Sequence, residues 1–207
     1  MKKLENKVAI VIGGGGAIGR EIALRLAGEG AAIAVVDMLQ EAAAKVAQEI
    51  GQLGGQATGY ALDITNYAKV TETVDRIAAQ FGHIDILVNS AGGSARQKMA
   101  LYHELPVEVL DWMLGVNLHG PLYCIRAVVN HLIRQNYGKI INITSIVALG
   151  GMAKCVDYAA AKGGMLAATK SLAIELGRYN ININCVSPGK VQRNPDEVDQ
   201  AAFAKQF

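Results

Sequence analysis

Six short apolar runs of strand length recur along the chain, separated by stretches with the period of an amphipathic helix. The run Ile86-Leu87-Val88 is apolar at every position instead of alternating, which is typical of a strand buried on both faces. The pattern therefore predicts repeated βα units, an α/β fold with a parallel sheet between two layers of helices. The predicted strands are residues 8–12, 31–36, 57–62, 84–88, 139–144 and 181–186.

Helical periodicity is clear directly after the first strand, where apolar side chains over residues 18–26 are interspersed with Arg20, Glu21 and Arg25. Another helix is predicted over residues 107–114, in which Trp112 and Met113 are expected to pack against the sheet. Residues 192–207 are polar and faintly helical, and nothing after them resembles a seventh strand.

Length and composition predict one soluble domain over residues 1–207. With 51% hydrophobic residues, such a chain can bury roughly 70% of its unfolded surface. Lys and Arg number 20 against 18 Asp and Glu, and no basic run is present, so neither nucleic acid nor a membrane surface is expected as a partner. The first apolar run is too short for a signal peptide or a membrane span, so we expect a cytoplasmic protein.

The cysteines and histidines show no metal-binding pattern. Cys124, Cys155 and Cys185 lie far apart in the sequence and form no CxxC pair, which favours neither a disulfide framework nor a zinc site. The histidines lack the HExxH pattern and other metal-ligand spacings, so no metal is expected. They are interpreted as surface or helix residues: His83, His103, His119 and His131.

A glycine-rich loop joins the first predicted strand to the first predicted helix, and Gly14, Gly16 and Gly19 match the pattern GxGxxG. At a helix start, backbone N–H groups and the helix dipole attract a pyrophosphate, and glycine allows the phosphate to approach the backbone. The alternative is a flexible loop without a ligand. The strand before the loop and the helix after it favour a dinucleotide site, which includes Gly13, Gly16, Ile18 and Gly19.

Asp37 ends the second predicted strand. A carboxylate there can accept hydrogen bonds from the ribose hydroxyls of the adenosine and repel a 2′-phosphate, which favours NAD over NADP. The alternative interpretation is a carboxylate that only ends a strand in a turn.

Ser145, Tyr158 and Lys162 form a candidate reacting group. Tyr158 and Lys162 are four residues apart and share a helix face, while Ser145 follows the fifth predicted strand, where α/β sheets bind ligands. Hydride transfer to a carbonyl requires a proton donor, and lowering a tyrosine pKa from ~10 to about 7 requires ~4 kcal/mol, which a neighbouring ammonium can help to supply. Such a trio also occurs by chance, and Tyr158 could be a packing residue.

Taken together, the glycine loop, Asn89-Ser90-Ala91-Gly92, Ser145, the YxxxK pair and Ser187-Pro188-Gly189 strongly resemble the short-chain dehydrogenase/reductase family of the compact type. The resemblance extends from residue 7 to about residue 191. It implies a Rossmann-type doubly wound sheet with strand order 3-2-1-4-5-6, and a seventh strand in a complete chain. It also implies a homotetramer or dimer, packed through long helices over residues 118–134 and 158–176.

The resemblance assigns four catalytic residues. It implies that Tyr158 is the acid/base, that Lys162 binds the nicotinamide ribose and lowers the tyrosine pKa, and that Ser145 holds the substrate oxygen. Asn117 is implied to support a water-linked proton relay.

Further residues are implied to bind the cofactor. They would contact the adenine, adjoin the adenosine ribose and brace the sheet, or flank the nicotinamide. Besides the glycine loop, Asp37, Tyr158 and Lys162, they are Asp63, Ile64, Asn89, Ala91, Gly92, Pro188, Gly189 and Val191.

The sequence departs from the family pattern at Ile12, Ala17, Ser90 and Arg193, and Arg193 is expected to alter contacts to the nicotinamide carboxamide. Family members also continue through a substrate-covering segment and a seventh strand. We therefore expect a truncated chain, because loss of the edge strand would expose its neighbour and leave the cleft without its lid.

The expected activity is hydride transfer between NAD(H) and a secondary alcohol or ketone, with a polyol, sugar, steroid, hydroxy compound or 3-oxoacyl thioester as substrate. Cys155 could line the substrate pocket together with Ser145, or it could be a small buried apolar group. The alternative function is a non-catalytic dinucleotide-binding subunit with a regulatory or assembly role. The presence of all four implied catalytic residues argues against it.

Overall fold

The computed structural model describes residues 2–93 and 99–191. Within them a single sheet is formed by β1 (Val8–Ile12), β2 (Ala32–Asp37), β3 (Ala57–Ala61), β4 (Ile86–Asn89), β5 (Gly138–Ile143) and β6 (Ile181–Val186). All neighbouring strands are parallel and their order is β3-β2-β1-β4-β5-β6, which confirms the predicted Rossmann-type fold. The predicted segments agree with these strands to within two residues.

The central strand β1 pairs with β2 on one side and β4 on the other, so Ile12 lies opposite both Val36 and Asn89. From β1 the chain moves outward to β2 and β3, and then crosses back to β4 on the other side. Such a change of direction opens a crevice at the carboxyl ends of the two central strands.

Helices cover the sheet on both sides. Buried residues of α1 and α2 belong to one core cluster, and those of α3, α5 and α7 belong to the other. The α-helices are α1 (Ala17–Gly28), α2 (Gln40–Gln52), α3 (Tyr67–Phe81), α4 (Val107–Leu114), α5 (Gly120–Gln135), the short α6 (Val147–Gly150) and α7 (Val156–Leu176).

Strand β1 shows why the strands are apolar at successive positions. Its residues Ala9 and Val11 face the α1/α2 core, whereas Ile10 and Ile12 face the core formed by α3, α5 and α7. Because alternate side chains of a strand point to opposite faces, a strand covered on both sides is apolar throughout.

Strand β6 departs from that pattern. Ile181 and Ile183 are buried on the α7 side, whereas Asn182 and Asn184 are exposed on the other face. The described residues end at Val191, so residues 192–207, Arg193 and the expected seventh strand lie outside them. Within the described ranges, no helix is both long enough and apolar enough to span a membrane.

A buried chain of polar side chains connects β4, β5 and α7. Asn89 Nδ2 donates to Asn142 Oδ1 at 2.8 Å, and Asn142 Nδ2 donates to Thr169 Oγ1 at 2.9 Å. The Thr169 hydroxyl donates to the carbonyl of Met165 at 2.8 Å. Asn89 thus braces the central sheet against α7.

We expect Thr169→Val to lower the free energy of unfolding by about 1–3 kcal/mol, because the buried amide of Asn142 loses its acceptor. Thr71→Val is a matched control, since the Thr71 hydroxyl also donates to the carbonyl four residues earlier, but at the surface. Urea denaturation would measure both changes. Equal losses for the two variants would contradict the role of the buried chain.

Candidate active site

Two adjoining cavities, of about 360 and 290 Å³, lie at the carboxyl edge of the sheet. Both are lined by the glycine loop after β1 and by the segment that follows β4. Together they form one elongated cleft at the point where the strand order reverses. The residues that line both cavities are Gly13, Gly16, Ser90, Gly92 and Gly93.

The glycine loop lets two backbones pass very close to each other. Gly13 has φ +73°, and a Cβ there would lie 2.6 Å from Ala91 N and Cα. A Cβ at Gly19 would lie 2.1 Å from the carbonyl oxygen of Gly13. Glycine is therefore required at position 13 by the close approach of the segment after β4, and at position 19 by the backbone of the loop itself. All four loop residues predicted to bind a dinucleotide line the first cavity: Gly13, Gly16, Ile18 and Gly19.

Helix α1 begins at the floor of this cavity. Its N-cap residue is Gly16, and no side chain in the described part of the protein caps it. The first N–H groups of a helix lack partners within the helix and carry its positive dipole end, so this terminus is suited to an anion.

The second cavity contains the predicted acidic residues. Asp37 Oδ2 accepts a hydrogen bond from Gly15 N at 3.0 Å, and its Oδ1 accepts one from Leu39 N at 3.1 Å. Asp63 accepts from both the N–H and the hydroxyl of Thr65, at 2.9 and 2.7 Å. Asp37, Asp63 and the buried Ile64 all line this cavity, as does Ala91.

Ser145, Tyr158 and Lys162 line the first cavity together. Ser145 directly follows the end of β5 and accepts a hydrogen bond from Val147 N at 3.2 Å. Lys162 Nζ lies 5.8 Å from the ring centroid of Tyr158 and donates to the carbonyl of Ile143 at 3.0 Å. The structure thus brings the three candidate reacting side chains to one wall of the cleft.

Lys162 is only 4% exposed, and burial lowers the pKa of its ammonium to about 8. A buried cation is costly, and strongly shifted titratable groups are concentrated at functional sites. The location and charge of Lys162 therefore favour a functional role.

Asn117, the fourth predicted catalytic residue, comes from a different element and is not among the residues that line either cavity. It lies in a π-helical segment, Gly115–His119, that joins α4 to α5, and it is fully buried. Its Nδ2 donates to the carbonyl of Met113 at 3.2 Å, while its Oδ1 has no partner among the described residues. A Cβ on Gly92 would lie 2.8 Å from Asn117 Oδ1 and 3.4 Å from Lys162 Nζ, so both side chains approach Gly92 from the same side, and glycine leaves room for both.

Pro188, Gly189 and Val191 follow β6 and line the first cavity opposite the glycine loop. The carbonyl of Pro188 accepts a hydrogen bond from Ile146 N at 3.1 Å. The turn after β6 is thereby attached to the segment that carries Ser145.

Cys155 is 2% exposed and packs with Met113, Met99, Val147 and Tyr158. These surroundings are those of a small buried apolar group. Its role in a substrate pocket stays a prediction. No group of three or more potential metal ligands occurs among the residues that the structure describes.

Sequence reasoning missed several lining residues, notably Trp112, Val116 and Thr144. Trp112 was expected to pack against the sheet, but it is 41% exposed and lines the second cavity, where a Cβ on Gly93 would lie 2.3 Å from its ring. Met113 is fully buried, but it lies in the small cluster with Cys155 and Tyr158 and not in either core cluster of the sheet, so the expected packing against the sheet was wrong for it too. No sequence signal places Trp112 and Val116 in one cavity, because Val116 lies beyond the end of α4 in the π-helical segment, where the spacing of an α-helix does not apply.

The comparison with known proteins identifies the family. The family model described as short chain dehydrogenase matches residues 7–200, and the fold is of the Rossmann type. The chain therefore belongs to the short-chain dehydrogenase family, a family of oxidoreductases.

Named relatives include dehydrogenases and a reductase. The chain is 37% identical over 186 residues to D-threitol dehydrogenase of Mycolicibacterium smegmatis, covering 90% of this chain and 70% of the relative. It is 34% identical over 208 residues to the 3-oxoacyl-(acyl-carrier-protein) reductase of Thermotoga maritima, covering 98% and 83%. The crystal structure of NAD⁺-bound xylitol dehydrogenase superimposes with a TM-score of 0.88 at 38% identity, covering 91% of this chain and 72% of that one.

The lowered pKa of Lys162 predicts how the free energy of unfolding of the ligand-free protein depends on pH. Its folded pKa of about 8 lies below the ordinary 10.5, so between these values the unfolded chain retains a proton that the folded protein has lost. The free energy of unfolding should therefore rise by roughly 3 kcal/mol as the pH increases from 8 to 10.5.

Lys162→Met should abolish that rise and stabilise the protein below pH 8, where the wild type holds a buried charge. Urea denaturation of both proteins at pH 7 and pH 10 would measure the effect. A stability difference that is the same at both pH values would contradict the assigned burial of the ammonium.

Proposed function

We propose that this protein transfers a hydride between NAD(H) and a secondary alcohol or ketone of a small substrate, with Tyr158 as the acid/base. The observation that carries the proposal is the common wall formed by Ser145, Tyr158 and Lys162 in a cavity that begins at the glycine loop. The family membership supports the oxidoreductase chemistry, and the similarity to NAD⁺-bound xylitol dehydrogenase supports the cofactor class.

The residues of the cleft fit a dinucleotide. Gly13 and Gly19 leave no room for a Cβ, and the uncapped start of α1 offers backbone N–H groups to a pyrophosphate. In this proposal, Asp37 holds the adenosine ribose, and Asp63 and Ile64 contact the adenine. Ala91 and Gly92 adjoin the adenosine ribose, and Pro188, Gly189 and Val191 flank the nicotinamide.

When bound, the nicotinamide supplies the hydride acceptor or donor. The protein must then remove or supply one proton at the substrate oxygen. Tyr158 Oη takes the hydroxyl proton when the alcohol is oxidised and returns it when the ketone is reduced. Ser145 donates a hydrogen bond to the same oxygen and fixes its position.

Lys162 stabilises the phenolate form of Tyr158 by its positive charge. An ammonium has three donors, and Lys162 directs one of them at the carbonyl of Ile143. The others can hold the hydroxyls of the nicotinamide ribose. Asn117, which approaches Gly92 from the same side as Lys162, would support the water-linked relay that exchanges the proton with solvent.

The first test replaces the phenol. We expect Tyr158→Phe to lower turnover at least about 100-fold, because the proton donor is lost, while NADH affinity stays within about threefold. Tyr67→Phe on the surface of α3 is the control and should keep full turnover. Rates would be followed at 340 nm.

Activity that survives in Tyr158→Phe would contradict the acid/base assignment. A wild-type protein that binds NADH but reduces no ketone of a broad panel would instead favour the non-catalytic dinucleotide-binding subunit.

Cofactor preference is a second test. We expect NADH to bind at least about tenfold more tightly than NADPH, because the carboxylate of Asp37 repels a 2′-phosphate. Asp37→Asn removes the charge and should reduce this preference. Asp63→Asn makes the same change in the same cavity and should not alter it. Fluorescence titration measures all three, and tighter binding of NADPH by the wild type would contradict the proposal.

A further inference from the structure

The chain segments that follow β5 and β6 stay joined beyond the end of the sheet. The strand register ends at the pair Ile143 and Val186. Thr144 N then donates to the carbonyl of Val186 at 2.8 Å, and Ile146 N donates to the carbonyl of Pro188 at 3.1 Å. Ser145 lies between these two attachment points.

A pair of hydroxyl groups adds a side-chain link at the same place. Thr144 is 3% exposed, and its Oγ1 lies 3.1 Å from the carbonyl oxygen of Val186 and 2.6 Å from Ser187 Oγ. A carbonyl oxygen can only accept, so Thr144 donates its proton to Val186. Ser187 must therefore donate to Thr144, which fixes the direction of both hydrogen bonds.

This link joins two walls of the first cavity. Thr144 and Ser145 form one wall, and Pro188 and Gly189, which follow Ser187 directly, form another. The two walls also lie close together here, because a Cβ on Gly189 would lie 3.6 Å from Ile146 Cδ1. The Thr144 hydroxyl thus adds a side-chain link to the two backbone hydrogen bonds between the segment that carries Ser145 and the turn after β6.

We propose that Thr144 is a positioning residue which, through Ser187, holds the Pro188-Gly189 turn at a fixed distance from Ser145. The inference rests on the proposed function, in which this turn flanks the nicotinamide and Ser145 holds the substrate oxygen. Thr144 therefore aligns the nicotinamide half of the cleft, whereas the adenosine half, around Asp37, does not depend on it.

The test compares two ligands that differ in the nicotinamide. Thr144→Val keeps the shape of the side chain but removes both hydrogen bonds. We expect it to weaken NADH binding about five- to tenfold and to leave ADP-ribose binding within about twofold, because only the nicotinamide half loses its alignment. Turnover should fall about 10- to 100-fold as the reacting groups shift. Fluorescence titration with NADH, and competition of ADP-ribose against NADH, measure the two affinities without requiring turnover.

Thr144→Ser retains the hydroxyl and should restore NADH affinity. Thr58→Val is the matched control, since the Thr58 hydroxyl also accepts a side-chain hydrogen bond, from Gln80 at the β3 edge of the sheet. It should change neither affinity. Equal weakening of NADH and ADP-ribose by Thr144→Val, or no weakening of NADH, would overturn the proposal.

If Thr144→Val does not fold, Ser187→Ala decides the question, because it removes the donor from the other side. A selective loss of NADH affinity would support the link, and an unchanged affinity would overturn it. Wild-type protein that binds NADH but shows no turnover would contradict the proposed function alone, since the affinity comparison does not require catalysis.

Discussion

The close approach of two backbones at the centre of the sheet determines the form of the cleft. Gly13, after β1, passes Ala91, after β4, at a distance that leaves no space for a Cβ. The two strands are neighbours, yet their connections leave in opposite directions, and a crevice opens between them. A side chain at position 13 would force these loops apart and widen the cleft that both cavities share.

The same packing buries polar groups that a structural core would exclude. Lys162 has a charge in the interior, and the side-chain oxygens of Asn117 and Ser90 are buried without a partner among the described residues. Each of the two oxygens costs about 1–3 kcal/mol if it stays unsatisfied. This cost is concentrated around Gly92, between the glycine loop and α7, which is where the candidate reacting groups lie.

Much of this arrangement could be predicted from the sequence. An apolar run marks a buried strand, and one such strand recurs in every βα unit. The six strands could therefore be predicted to within two residues. The glycine pattern and the spacing of Tyr158 and Lys162 are local signals, and the structure places these residues along one cleft. Trp112 was misplaced because helical periodicity does not show whether a face meets the core or a cavity.

The π-helical segment beside Trp112 and the Thr144 link were not predicted for a related reason. A π turn changes the direction of the helix face that follows it, and no apolar period shows such a turn. Thr144 contacts a residue 43 positions later, and a single threonine after a strand gives no indication of its partner. Both features depend on which strand ends become neighbours in the folded sheet.

Those neighbouring strand ends explain how loops can hold a precise site. In a parallel sheet all carboxyl ends lie at one edge, so each loop can bond to the next one. The pairs β3-β2, β2-β1, β1-β4 and β5-β6 are each extended by a backbone hydrogen bond beyond the paired residues, and side chains link β4 to β5. The donor and acceptor pairs are Leu62 to Asp37, Gly13 to Val36, Ser90 to Ile12, Thr144 to Val186, and Asn89 to Asn142. The loops that form the cleft are therefore joined pairwise, by one hydrogen bond after another, from one edge of the described sheet to the other.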